Sequence, residues 1–120
     1  MRTIVVAVVL VLVGLSGGAG AQDEELVPAG PINLSARVEF QGAVAVARLK
    51  WQDESDNELG FEIVRSDNGQ AIQVVGLVGS NSERFEDKVG RYVRGAFAYQ
   101  VRAFNEHGTS EPSNTASVWF

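Results

Sequence analysis

The sequence predicts an all-β chain folded as a two-layer sandwich of seven short antiparallel strands. Two patterns carry that expectation. Beyond Pro31, apolar and polar residues alternate in short segments, and clusters of Gly, Asn, Asp and Pro interrupt them at regular intervals. No segment there sustains a helical period over three turns.

The strands follow in order. The first lies just after Pro31. The second, Val44 to Trp51, sets Ala45, Ala47, Leu49 and Trp51 on one face and Arg48 and Lys50 on the other, as a strand between core and water requires. The acidic stretch from Asp53 to Gly60 ends it. Phe61, Ile63 and Arg65 then alternate with Glu62 and Val64, and Ser66 to Gly69 form a hairpin turn in which Asn and Gly tolerate positive φ. Ile72 to Val78 return, and Gly76 and Gly79 mark this strand as bent or at an edge. A short strand spans Arg84 to Glu86, followed by a loop through Gly90 and Gly95. The clearest strand runs from Ala96 to Phe104, with Phe97, Tyr99, Val101 and Ala103 on one face. Asn105 to Gly108 turn the chain, Pro112 prevents regular pairing, and Thr115 to Phe120 make the seventh strand.

The amino terminus has a different character. Arg2 precedes an apolar run from Ile4 to Leu15 broken only by Gly14, and small residues follow through Ala21. This is the order of a secretory signal, with Ala19 and Ala21 spaced as at a cleavage site. The run is too short for a membrane span, which needs about 20 apolar residues. Residues 1–21 are therefore expected to be removed on export, leaving a flexible acidic leader at 22–30, a domain at 31–120, and a periplasmic or secreted product.

Composition narrows the function. The 120 residues hold 10 Lys plus Arg, 15 Asp plus Glu, one His and no Cys. Without the signal the balance is 9 minus 15, or −6. Nucleic acid and anionic membranes are poor partners for such a chain, since both demand clustered cations. The lack of cysteine excludes disulfides, thiolate nucleophiles and Cys-type zinc sites.

The residues Pro31-Ile-Asn-Leu34-Ser-Ala, Leu49-Lys-Trp51, Asn57-Glu-Leu-Gly60-Phe61-Glu-Ile63-Val-Arg65-Ser and Tyr99-Gln-Val101-Arg102-Ala103-Phe-Asn105-Glu-His-Gly108, in that order, resemble a fibronectin type III domain. The resemblance covers Pro31 to Phe120. It implies an immunoglobulin-like sandwich with Trp51 between the sheets and Leu34, Leu49, Phe61, Ile63, Tyr99 and Val101 around it. One position departs: the family's tyrosine, whose hydroxyl ties the strand to the preceding loop, is Phe97 here, so Tyr99 or Tyr92 would have to substitute.

Few residues suggest chemistry. Asp53, Glu54, Asp56 and Glu58 are the densest acids, but their spacing is not that of an EF-hand, and they read as a solvated loop. His107 is alone, and a catalytic arrangement with Glu106 and Ser110 or Ser113 lacks a held nucleophile. Arg84, Lys88, Arg91 and Arg94 are interleaved with Glu83, Glu86 and Asp87, which reads as a mixed-charge surface. No cofactor or metal is implied.

The expectation is a non-enzymatic exported module that binds a protein partner through its loops, with Asp53, Glu54, Asp56 and Glu58 on one and Asn105, Glu106, His107 and Thr109 on another. The alternative is a carbohydrate-associated accessory domain. That would need exposed aromatics, of which Tyr92, Trp119 and Phe120 are the candidates.

Overall fold

A computed structural model describes residues 26–120, all of them strand, turn or loop. The expected signal at 1–21 and residues 22–25 of the expected leader lie outside the described residues. The elements are β1 (Ile32–Gln41), β2 (Val44–Gln52), β3 (Gly60–Asp67), β4 (Gln73–Gly79), β5 (Arg84–Arg91), β6 (Ala96–Asn105), β7 (Gly108–Thr109) and β8 (Ala116–Trp119). One sheet has the order β1-β2-β5. In the other, β4, β3 and β6 lie side by side, and both β7 and β8 pair with β6. Every pairing is antiparallel. The chain changes sheet after β2, β4 and β5, which makes a two-layer sandwich.

The inward alternation of each sheet meets in one core. Leu34, Ala47, Leu49 and Trp51 from the first sheet pack against Phe61, Ile63, Phe97, Tyr99, Val101, Ala103 and Val118 from the second. Phe61, Ile63, Tyr99 and Val101 have no exposed surface, and the Trp51 ring lies 5.6 Å from that of Phe61. Two glycines permit close approaches: a Cβ on Gly60 would meet the Val78 carbonyl oxygen at 2.3 Å, and one on Gly76 would meet the Phe85 ring at 2.4 Å. The Phe85 ring crosses from β5 to fill the space that Gly76 leaves on the edge strand β4.

Two elements differ from the sequence expectation. β5 extends to Arg91, where a loop was expected after Glu86. A bulge at Val89, between the pairs Val46–Lys88 and Ala45–Gly90, lets pairing with β2 continue past Gly90. The expected seventh strand is β8 alone, and a two-residue β7 forms at Gly108–Thr109, beside the expected turn, so that Pro112 interrupts one edge along β6. In the gap, side chains replace the missing ladder: Val101 N donates to Ser113 Oγ (3.0 Å) and Ala103 N to Ser110 Oγ (2.9 Å). The backbone N–H groups of Ser110 and Ser113 in turn donate to the carbonyls of Ala103 and Val101. Both serines are buried.

Candidate functional site

The two loops named from the sequence meet at one end of the sandwich, together with residues 26–30. Asn105 Nδ2 donates to the Leu26 carbonyl (2.6 Å) and to the Asn57 carbonyl (3.1 Å), and Leu59 N donates to the Phe104 carbonyl (2.8 Å). Pro28 is buried there, and a groove of about 790 Å³ runs between Val27–Gly30, Glu54–Asn57 and Thr109–Glu111. No Lys or Arg occurs in 53–60 or 105–111. Glu54, Asp56, Glu106 and Glu111 are exposed, so this pole is acidic.

Glu58 is not displayed with them. It is buried, with Oε1 accepting from Ser55 Oγ (2.7 Å) and Oε2 from Asn81 N (2.9 Å). It therefore braces the β2–β3 loop against the β4–β5 turn, where a solvated acid was expected. Asp53 accepts from Ser55 N (3.0 Å), and its own N–H donates to Glu83 Oε2 (2.8 Å). Burial, with the nearby Glu58 charge, raises the Asp53 pKa above the ordinary aspartate value. Glu58 goes the other way: burial opposes ionisation, but the hydrogen bonds from Ser55 and Asn81 outweigh it and lower its pKa. The pair thus ionises with the negative charge favoured on Glu58.

His107 is partly exposed. Its N–H donates to Asn105 Oδ1 (2.8 Å), and its ring Nε2 lies 3.5 Å from Glu106 Oε2, the adjacent residue. Ser110 and Ser113 are engaged in the β6 ladder, so neither is held against His107 as a nucleophile. Thr109 lies on β7, opposite Phe104. Among the described residues no group of three or more His, Cys, Asp or Glu side chains is placed to hold a metal ion.

The aromatic candidates separate. Tyr92 and Trp119 are 78% and 72% exposed, whereas the Phe120 ring packs 5.5 Å from Phe97 and 6.0 Å from Phe40. Phe120 is therefore a packing residue.

At the opposite end from the acidic pole, a polar cluster joins the sheets. Tyr99 Oη donates to Asp87 Oδ2 (2.7 Å), Arg65 Nη1 donates to the same oxygen (2.9 Å), and Arg65 Nε and Nη2 reach Asp67 at 2.5 and 2.9 Å. Tyr99 thus replaces the missing Phe97 hydroxyl with a bond across the sandwich to β5, in place of one to the preceding loop. Asp87, expected on a mixed-charge surface, is buried. Its ladder partner Ala47 faces the core, and so does Asp87.

No protein-family model and no curated protein matches the sequence. Solved structures do match. Domains A168–A170 of titin share 18% identity with a TM-score of 0.61, over 78% of this chain and 32% of that one. An Fn3-like protein from Clostridium thermocellum shares 22% identity at a TM-score of 0.60, over 75% and 90%. The FN3 domain of human collagen XX shares 19% identity at 0.57, over 78% and 91%. This chain spans about a third of the titin fragment and nearly all of the other two. Likeness at these identities concerns the fold: the described chain is an immunoglobulin-like β-sandwich of the fibronectin type III type.

Proposed function

We propose that the chain is exported through its amino-terminal signal and acts as a non-enzymatic module that binds a protein partner at or outside the cell envelope, using the acidic pole. The observation that carries this reading is the bracing beneath the pole. Glu58, Ser55 and Asn81 fix one loop, and Asn105 ties the other to Leu26 and Asn57. Exposed Glu54, Asp56, Glu106 and Leu59 are thereby displayed from a fixed base, and a preordered surface loses less entropy on binding. Acidic groups without cations among them favour a partner with a basic patch.

The test is affinity capture from envelope extract with residues 22–120, run beside the variant Glu54→Lys/Asp56→Lys/Glu106→Lys after circular dichroism shows both folded. A discrete protein retained by the wild type and lost from the variant is expected. Identical retention by both contradicts the proposal.

A further inference from the structure

The sheet β1-β2-β5 turns one face to the core and the other to solvent, and strand pairing collects on the outer face residues that are far apart in the chain. The cross-strand rows are Ser35–Lys50–Arg84, Arg37–Arg48–Glu86, Glu39–Val46–Lys88 and Gln41–Val44–Arg91. They hold six cations, Arg37, Arg48, Lys50, Arg84, Lys88 and Arg91, and two carboxylates, Glu39 and Glu86, for a net of +4. The whole chain has a formal charge of −5. Charge is thus segregated, and the inward turn of Asp87 contributes to it by removing one anion from the face.

The two carboxylates are already occupied. Arg48 pairs with Glu39 (2.5 Å) and with Glu86 (3.1 Å), which holds its guanidinium in the centre of the face and lowers the Glu39 pKa. Arg37, Lys50, Arg84 and Lys88 are exposed and make no ion pair in the described structure. Arg37, Lys50 and Arg84 border an open groove of about 630 Å³ that also includes Ser35. Along β5 the cations continue from Arg84 to Lys88 and Arg91, a track of about 20 Å when measured on β2 from Lys50 to Val44, six steps of roughly 3.4 Å.

We propose that this face binds an acidic polysaccharide, a polyuronate chain, through its carboxylates. A track of separated cations matches a ligand that repeats one negative charge along an extended backbone, and it offers a single small acid only one contact at a time. Guanidinium groups bind carboxylates through paired N–H donors, and Arg37 and Arg84 have theirs free. An acidic protein is the poorer match. Protein interfaces depend on buried aromatic or apolar anchors, whereas these four rows contain no aromatic residue and Val46 is wholly buried. With no aromatic in the rows and Tyr92 alone beside them, its ring covered by the Arg91 guanidinium at 5.4 Å, the face is not a stacking platform for neutral sugars. The site lies on the outer sheet face and adjoins the acidic pole, where Asp53 N donates to Glu83 Oε2, but its ligand is independent of the protein-binding reading.

Isothermal titration with polygalacturonate tests the proposal, using residues 22–120 at low salt. Lys50→Gln/Arg84→Gln is expected to weaken binding about tenfold or more relative to the wild type. Arg94→Gln, which removes an exposed cation outside the rows, is expected to leave it within about twofold of the wild type. Fully methyl-esterified polygalacturonate, with the same backbone and no charge, is expected not to bind. Equal weakening by the two variants, retention of the esterified polymer, or equally tight binding of poly-glutamate or duplex DNA would overturn it. Absence of polygalacturonate binding by the folded wild type would do so as well.

Discussion

Tyr99 and Asp87 show how one polar pair joins the sheets without leaving a buried group unpaired. The Asp87 carboxylate receives Tyr99 Oη and Arg65 Nη1, and Asp67 takes the rest of the guanidinium. A hydrogen bond to a charged group contributes about 2 kcal/mol, so Tyr99→Phe is expected to lower stability by about that amount near neutral pH. Burial, reinforced by the Asp87 bond and charge, raises the Tyr99 pKa well above the tyrosine value of about 10. In the folded chain the hydroxyl keeps its proton after the unfolded chain has lost it. Its contribution is therefore complete below about pH 10 and falls as the pH rises further. Urea unfolding at about pH 8 and about pH 11 checks this: the gap between wild type and Tyr99→Phe should narrow at the higher pH. The inward position of Tyr99 was legible from the alternation in β6. That of Asp87 was hidden by Arg84, Glu86 and Lys88 beside it, although Phe85 and Val89, two residues to either side, set the same phase.

At the scale of elements, the interrupted edge along β6 depends on two hydroxyls. Ser110 and Ser113 accept from the Ala103 and Val101 N–H groups where Pro112 interrupts the ladder. Ser113→Ala would leave the buried Val101 N–H without that acceptor, at an expected cost of about 1 to 3 kcal/mol in chemical denaturation. Ser117→Ala, at an exposed position of β8, is expected to cost less than about 0.5 kcal/mol. Pro112 made an interruption legible, but serine is common in any turn, so its use as a ladder substitute was not. The full length of β5 is hidden in the sequence for a similar reason. Gly90 reads locally as a stop, and only pairing with β2 shows the bulge that carries the strand on. The long alternating strands β2, β3 and β6 were legible because one face of each buries bulky side chains, a pattern that needs no knowledge of the partner.

For the molecule as a whole, the sandwich and its core followed from periodicity and from the ordered motifs around Trp51, Gly60 and Tyr99. The arrangement of charge did not. The loops at 53–58 and 105–109 are separate acidic or polar runs in sequence and become one pole only when Asn105 reaches Leu26 and Asn57. Arg37, Lys50 and Arg84 become neighbours only through strand register. The proposed binding at the acidic pole depends on that surface being fixed in advance. Backbone 15N relaxation of the free domain, read at residues 53–59 and 105–108, tests that most directly. Order parameters close to those of the strands, about 0.85, are expected. Values below about 0.6 across both loops would contradict a preordered pole.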